Sequence, residues 1–450
     1  MRISRITPVL LLLALTHVAA ACGSAQQRPA SGVLVLEDVT VIDGTGAAPR
    51  AGMTLVVEGG RITALFPAGS QSLPAGARRL DAAGGFVIPG LIDSHVHLAS
   101  TERPPEMTRG LLRNALLGGV TTVRDMGGDP RRVAALAAAA RDDSAALPRI
   151  HYSAVIAGPE WFASYDPRRL AYWSGGRAVG TAPGVRRMTD TTDLAALVRE
   201  AAALGATGIK VYADVPAPRL AALSAAAHGA GLRVWAHAVV PPGRPEEVSA
   251  AGVDVVSHAD QLIWTAAPSG AVAADREVRR GLLRTVAPDG PAVTALLQGM
   301  RARGTLLEPT LLVMQMSAEP GAPLETLPAW AVSVTRRAHA LGVGIVAGTD
   351  ALGRETPNLH SEMQLLVRQA GLPPLEALRA GTQRGAEALG IADSVGSVAV
   401  GMRADLVVLR ADPSADIRNT QTIRYVIRGG TVHTRTEPWE TPQGASPPPG

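Results

Sequence analysis

Cysteine, lysine and aromatic residues are all scarce in this chain of 450 residues. The single cysteine, Cys22, excludes an intrachain disulfide, and aromatic residues make up only 3% of the chain. The net charge is only +4 and no long basic run occurs, so nucleic acid is not an expected partner. Hydrophobic residues at 46% and charged residues at 18% are typical of a globular protein and exclude a largely disordered one.

Lys210 is the only lysine among 43 basic residues, which leaves 42 arginines (43 − 1 = 42). In a composition so strongly biased to arginine, the one position that keeps a lysine is expected to need a property of a primary amine that a guanidinium lacks. A neutral amine can add CO2 to form a carbamate, whose two oxygens can bridge two divalent cations, whereas arginine stays protonated. The alternative is a lysine that pairs with a carboxylate at the rim of the fold.

The N-terminus has the features of an export signal. Arg2 and Arg5 precede an apolar run that ends at Ala21 and is too short to span a bilayer, which takes about 20 residues. Residues 1–21 therefore predict a signal peptide, and Cys22 directly after three alanines resembles the lipidated cysteine of a bacterial lipoprotein. Ordinary secretory cleavage after Ala21 is the alternative. Both place the mature protein in the periplasm or cell envelope, with Cys22 as its only expected membrane anchor.

The two ends of the chain differ from its middle. Short β-type runs separated by glycines occupy residues 33–87 and return in 396–436, which predicts one small β-sandwich domain built from both ends. Residues 22–32 are small and polar and predict a flexible tether. Residues 437–450 are rich in Pro, Gly and Ser and predict a disordered tail.

Residues 88–395 alternate strand and helix patterns, which predicts an α/β fold, a (β/α)8 TIM barrel. In that fold the reactive residues lie at the C-terminal ends of the strands. Two of the helices between the strands are predicted over 194–204 and 219–230. The eight candidate strands are residues 91–96, 121–125, 149–154, 207–212, 233–237, 253–258, 305–312 and 343–348.

Six candidate metal ligands fall where these strands end. The spacing of His95 and His97 puts both imidazoles on one face of the first strand, so that they can grip one metal ion. The other four end the fourth, fifth, sixth and eighth strands, namely Lys210, His237, His258 and Asp350. Any one of them alone could be a structural residue, but together they converge on the catalytic face of the predicted barrel.

Seven segments carry a resemblance to a known family: PGLIDSHVH (89–97), GVTTVRDMGG (119–128), GATGIKVY (205–212), VWAHA (234–238), GVDVVSHAD (252–260), VAGTDA (346–351) and GSVAVGMRADLVVL (396–409). From residue 33 to 430 the chain resembles the amidohydrolase superfamily, in its imidazolonepropionase-like and Xaa-Pro dipeptidase-like branch. The resemblance implies that His95, His97 and Asp350 hold one metal ion, that His237 and His258 hold another, and that carboxylated Lys210 bridges them. Zinc is the first expectation from the histidine-rich set, with manganese or cobalt as alternatives.

The expected reaction is hydrolysis by a hydroxide that bridges the two metal ions. Catalytic roles fall to Asp350, which would accept the proton of the water and pass it to the leaving amine, and to His258. Tyr212 shares the inward parity of Lys210 and can reach the substrate or the developing oxyanion. Its alternative role is that of an aromatic packed in the upper barrel.

Aromatic residues concentrate after the third strand, where the segment from 152 to 173 holds six of the fourteen in the chain. Many relatives carry a glycine-rich, histidine-containing segment here, and this chain has no histidine in it. We predict that the loop 157–190 forms an aromatic wall or lid whose Trp161 and Phe162 contact the substrate, or else packs on its own aromatics. His360, near the end of the eighth strand, is a candidate for supporting a ligand or for contacting substrate.

The function that these observations favour is hydrolysis of an amide bond in a dipeptide or N-acyl amino acid, a small-molecule substrate. A lactonase, or a carbamate or phosphotriester hydrolase, would use the same metal ions. From another class, a binding protein that keeps the fold without turnover would be expected to have lost ligands, and the set here is complete. A homo-oligomer is compatible with the sequence, which says nothing further about assembly.

Overall fold

A computed structural model describes residues 32–268, 276–316, 327–350 and 359–434. The predicted signal peptide, Cys22, nearly all of the tether and the predicted tail lie outside these residues. Within the described ranges, no helix is both long enough and apolar enough to cross a membrane.

Seven parallel strands form the wall of a barrel. Along the wall these strands lie in the order in which they occur in the chain, and each pairs with the next. Their side chains are almost all buried, as expected of parallel strands covered by helices. The seven strands are β6 (Leu91–Val96), β7 (Val120–Asp125), β8 (Arg149–Ala157), β11 (Gly208–Val211), β12 (Arg233–His237), β13 (Val255–Ser257) and β14 (Leu306–Glu308). The predicted (β/α)8 architecture is confirmed.

The eighth strand is much shorter than predicted. Residues 343–348 make one isolated parallel bridge, between Leu307 and Ile345, rather than a continuous ladder. The segment still joins the two ends of the wall, because Val346 N–H donates to Leu307 O (2.9 Å) and Ser94 N–H donates to Ala347 O (3.1 Å). The predicted seventh strand, 305–312, was also too long. It ends at Glu308 because the following proline has no N–H and Thr310 has a φ of +52°.

Helices alternate with these strands. Several begin at an aspartate whose carboxylate accepts a backbone N–H, as Asp129 does from Arg131 and Asp193 does from Ala196. The helices predicted over 194–204 and 219–230 correspond to α5 and α6. The helices are α1 (Pro105–Leu117), α2 (Pro130–Ala139), α3 (Pro159–Ser164), α4 (Pro167–Ser174), α5 (Leu194–Ala203), α6 (Ala217–Gly229), α7 (Pro245–Ala250), α8 (Arg276–Thr285), α9 (Pro291–Arg303), α10 (Leu311–Met316), α11 (Leu327–Ala340), α12 (Leu359–Arg368), α13 (Pro374–Ala380) and α14 (Gln383–Leu389), with 3-10 helices at Ala259–Ala266 and Ile417–Gln421.

The segment predicted as a long aromatic loop is folded. It contains the short helices α3 and α4, followed by a hairpin of β9 (Thr181–Ala182) and β10 (Val185–Arg187). Strand β8 pairs with β7 over residues 149–152, and its last residues, 155–157, pair with β10 of the hairpin. The two helices are thereby held above the barrel next to the fourth strand.

A second, mixed sheet is built from both ends of the chain. Its strand order is β17–β16–β15–β5–β1–β2–β3, with β4 also paired to β1. Its first strand, β1 (Leu34–Val41), has an irregularity between Leu36 and Val39. Residues from both ends share one apolar core beneath this sheet. The strands are β1 (Leu34–Val41), β2 (Arg50–Glu58), β3 (Arg61–Pro67), β4 (Arg78–Leu80), β5 (Phe86–Pro89), β15 (Leu406–Leu409), β16 (Ile423–Arg428) and β17 (Thr431–His433).

Candidate metal centre

Four of the six predicted ligands meet at one point on the C-terminal face of the barrel. His95, His258 and Asp350 each contribute a ligand atom within 4.8 Å of the other two. His97 Nε2 lies 3.1 Å from Asp350 Oδ1, and His95 Nε2 lies 3.6 Å from the same oxygen. Asp350 is therefore the residue around which the histidines gather.

The other two predicted ligands border this cluster. The ring centroid of His237 lies 5.0 Å from that of His258. Within the described part of the chain, neither ring nitrogen of His237 has a hydrogen-bond partner. Lys210 Nζ is fully buried and donates to Ser257 Oγ (3.1 Å), the residue just before His258. The six side chains thus line one end of the barrel, as the strand-end argument predicts.

The tautomers of His95 and His97 are fixed by groups that can only accept a hydrogen bond. His95 Nδ1 lies 2.7 Å from Glu308 Oε2, and His97 Nδ1 lies 2.8 Å from Gly127 O. A carboxylate and a carbonyl both need the proton on Nδ1, so the Nε2 lone pair of each ring is left facing Asp350. Two imidazoles with lone pairs directed at one carboxylate are the arrangement expected of metal ligands.

Burial keeps most of these imidazoles neutral. It lowers the pKa of His258 to about 3 and lowers those of His95 and His237 as well. At His97 burial also lowers the pKa, but the hydrogen bond and charge of Asp350 outweigh it and the net shift is upward. A neutral imidazole is the form that binds a cation, so burial prepares His95, His237 and His258 for ligation, whereas His97 has to give up the proton that Asp350 stabilises.

The backbone is strained at the same place. His258, Thr310 and Asp350 all have positive φ angles, of 74°, 52° and 46°. Non-glycine residues in this region cost on the order of 1–3 kcal/mol each, and such strain clusters at functional sites. Thr310 Oγ1 lies 2.9 Å from His258 Nδ1, so the strained segment after β14 supports one of the candidate ligands.

Glu308 is the residue that sequence reasoning missed. Its side chain is completely buried at the end of β14, where Oε2 accepts from His95 Nδ1 and from Ser257 Oγ (2.9 Å). Oε1 accepts from Arg124 Nη2 at 2.6 Å. Burial raises the pKa of Glu308, but the charge of Arg124 and the hydrogen bond from His95 outweigh it and hold the pKa at about 2. The available signal was its position, since it ends the seventh strand as the ligands end theirs.

Lys210 lies beside this network. Burial lowers its pKa to about 7, and the charge of Arg124 contributes in the same direction. A lysine in this environment spends much of its time as the neutral amine near neutral pH. That is the form that can add CO2.

An aromatic wall borders His237, made of Trp161, Tyr165, Trp173 and Tyr212. Trp161 stacks on Tyr165 with centroids 4.5 Å apart and lies 5.1 Å from Tyr212. The ring of Tyr212 meets His237 edge-on at 4.8 Å. The Tyr212 hydroxyl donates to Met126 O (3.2 Å), so the tyrosine is packed in the upper barrel with its polar end engaged.

Phe162 and His360 lie differently from Trp161. Phe162 is buried against the inner side of Trp161, with ring centroids 4.9 Å apart, whereas Trp161 keeps part of its surface exposed. Both ring nitrogens of His360 are engaged, by Thr420 Oγ1 (2.9 Å) and Gly118 O (2.8 Å). His360 therefore joins α12 to the 3-10 helix at 417–421, and its contact with substrate stays a prediction.

Comparison with known proteins bears on this centre. The amidohydrolase family model matches residues 86–433, which span the barrel and most of the second sheet. The chain belongs to the amidohydrolase family. An imidazolonepropionase from Streptomyces griseus is 30% identical over 401 residues, covering 84% of this chain and 90% of that protein. The predicted membership is therefore confirmed, and with it hydrolysis as the class of reaction.

Solved structures agree with this placement. A candidate prolidase from Bifidobacterium longum is 27% identical, with a TM-score of 0.65, covering 90% of this chain and 96% of that one. A Xaa-Pro dipeptidase with methionine bound in its active site superposes with a TM-score of 0.68 at 22% identity, covering 90% of this chain and all of the other. The second of these supports the fold alone.

The residues present fit the metal ions that the family implies. The donor set combines imidazoles, one carboxylate and a buried amine, and Nε2 of His95 and Nε2 of His97 both lie within 4 Å of Asp350 Oδ1. A histidine and carboxylate set of this kind suits zinc, and carboxylate oxygens also admit manganese.

Proposed function

We propose that this chain hydrolyses an amide bond in a dipeptide or an N-acyl amino acid, using two divalent metal ions. His95, His97 and Asp350 would hold one ion, His237 and His258 the other, and carboxylated Lys210 would be shared between them. The observation that supports this proposal best is the pair of Nε2 lone pairs directed at Asp350, with the ring of His237 close to that of His258 at 5.0 Å. The ions would be zinc in the first instance.

When bound, two divalent cations would make a water molecule acidic enough to attack near neutral pH and would polarise the scissile carbonyl. The protein's own part is positional. Asp350 stands at the centre of the cluster, where its carboxylate can take up a proton from the attacking water and release it to the leaving amine. Both His258 and Asp350 have positive φ angles, which the surrounding structure has to maintain, and such angles cluster at functional sites.

The aromatic wall would form one side of the substrate pocket. Its partly exposed member, Trp161, is continuous through Tyr212 with His237, so an apolar or ring-shaped side chain of the substrate would lie against it. Tyr212 would act mainly by holding the shape of this wall, because its hydroxyl is engaged by Met126.

The test is to incubate protein loaded with zinc and bicarbonate with pooled dipeptides and N-acyl amino acids, and to follow free amino acids by mass spectrometry. We expect release by the wild type, loss in Lys210→Ala and a decrease of about 10²- to 10⁴-fold in kcat in Asp350→Asn. Arg418→Gln, on an exposed surface, is the control and should behave as wild type. No release from protein that carries two metal ions per chain would reject the amide proposal and favour lactones, carbamates or phosphotriesters.

A further inference from the structure

Glu308 stands at the junction of the two halves of the candidate metal centre. One of its oxygens, Oε2, accepts from His95 on β6 and from Ser257 on β13. Ser257 in turn accepts from Lys210 on β11. A single buried carboxylate therefore connects a ligand assigned to one metal ion with the ligand assigned to both.

We infer that Glu308 is a positioning residue that sets the geometry of the centre, orienting His95 directly and Lys210 through Ser257. The inference rests on the proposed use of metal ions, but not on the identity of the substrate. Glu308 is completely buried and its oxygens accept from His95, Ser257 and Arg124, so its effect is transmitted through the two ligands. Because Glu308 accepts a hydrogen bond from Nδ1 of His95, the opposite nitrogen, Nε2, keeps its lone pair free for a cation.

The carboxylate plane is itself fixed from behind. Arg124 holds Oε1 through Nη2, donates through Nε to Ser94 O (2.5 Å), and stacks its guanidinium over the ring of Trp235 at 4.6 Å. These three contacts fix the plane of the guanidinium. Its hydrogen bond to Oε1 then fixes the orientation of the Glu308 carboxylate.

The eighth strand leaves room for this group. A Cβ atom on Gly348 would lie 2.6 Å from Glu308 Oε1 and 2.8 Å from His95 Cβ. Any side chain at position 348 would therefore push the carboxylate or the histidine out of place. The barrel interior is shaped around Glu308.

Glutamine cannot replace this carboxylate. The amide has one acceptor oxygen, while Glu308 accepts from Arg124 on one side and from His95 and Ser257 on the other. If the oxygen faces Arg124, the amide NH2 faces two donors; if it faces His95 and Ser257, the NH2 faces a guanidinium. Glu308→Gln keeps the volume but must break one side of the network.

The experiment measures zinc binding by competition with a chromogenic chelator, without any substrate. We expect Glu308→Gln to weaken zinc binding about 10- to 100-fold, the range typical of lost partners of metal-bound histidines. Ser257→Ala keeps the His95 contact and removes the Lys210 contact, so it should chiefly reduce the carbamate signal in ¹³C NMR with labelled bicarbonate. Glu362→Gln is the matched control, because Glu362 is equally buried and its partners among the described residues are the backbone N–H groups of Leu311 and Leu312.

Each outcome bears on the inference. Wild-type zinc affinity in a folded Glu308→Gln variant would overturn it, and so would an equal loss in Glu362→Gln, which would indicate general damage to the core. If Glu308→Gln does not fold, an undiminished carbamate signal in Ser257→Ala overturns the inferred link to Lys210. Wild-type protein that binds two zinc ions but releases no amino acid would reject the amide proposal and leave this inference standing.

Discussion

Removing the charge of Arg124 should destabilise the protein more than any exposed substitution. Arg124 and Glu308 are both completely buried and lie 2.6 Å apart. Methionine at position 124 would fill part of the volume but leave Glu308 as a buried carboxylate without its cation. Breaking one partner of a buried ion pair costs about 3–5 kcal/mol. Since folded proteins are stable by roughly 5–15 kcal/mol, this is a large share of the total.

The magnitude depends on which charges remain near the carboxylate. Glu308 would still accept from His95 and Ser257, but these are neutral donors at neutral pH because burial lowers the pKa of His95. The cation–π contact of Arg124 with Trp235 would also be lost, at about 0.5–2 kcal/mol. We therefore expect the upper part of the range in Arg124→Met.

The assay is urea unfolding of metal-free protein followed by circular dichroism, so that metal binding does not enter. Arg124→Met combined with Glu308→Gln should recover much of the loss, because no unpaired charge is then buried. Arg418→Met, which removes a solvent-exposed ion pair with Asp416, is the control and should change little. A loss below about 1 kcal/mol in Arg124→Met, or strictly additive effects in the double variant, would show that water screens Glu308 and that the reasoning is wrong.

Three further predictions concern other parts of the site. In Gly127→Ala the new methyl group would overlap the hydroxyl of Tyr212 and displace the Gly127 carbonyl from His97, so zinc affinity should fall. Gly110→Ala, with open space around the new methyl group, is the control and should leave zinc affinity unchanged. Burial raises the pKa of Glu362 from 4.5 to about 8, so the folded state keeps a proton that the unfolded state has lost, and stability should fall as pH rises through that window. Urea unfolding of Glu362→Gln at several pH values should lack this component, and an unchanged pH dependence would contradict the assignment. Trp161→Ala should raise KM or alter substrate preference, and identical kinetics on every substrate would refute the aromatic wall as a substrate contact.

The sequence was informative wherever a residue type is restricted by its position on a strand. His95 and His97 could be placed because alternate residues of a strand share a face, and Lys210 because lysine occurs nowhere else in the chain. Strand lengths were less predictable. Residues 343–348 form only one bridge, and a few other backbone hydrogen bonds connect this segment to the strands on either side. An apolar run in the sequence does not reveal that a strand is paired so sparsely.

The segment after the third strand shows a different difficulty. Four of the chain's aromatic residues lie together beside His237, and their role as a wall of the substrate pocket stays a prediction. The folding of this segment into α3, α4 and a hairpin was not predicted. Both helices begin with proline and are short, six and eight residues, so their periodicity is weak. Contacts with Tyr212 and with the end of β8 hold them in place, and such contacts arise only in the folded chain.

Glu308 was missed for a reason that follows from electrostatics. Arg124 and Glu308 are separated by more than 180 residues. Arg124, at the end of the second strand, was a candidate for orienting ligands or bracing the barrel, but Glu308 in isolation reads as an ordinary charged residue. Their burial makes sense only as a pair, because a single charge in the barrel interior would be too costly. Arg124 and Glu308 neutralise each other, and burial lowers the pKa of His95, His237 and His258. The carboxylate of Asp350, whose pKa the neighbouring histidines lower, supplies negative charge at the centre of the cluster. Carboxylation of Lys210 would add a second negative charge on the far side of the same centre. If the buried pair orients the ligands as inferred, it does so without reducing the charge available to bind the two cations proposed.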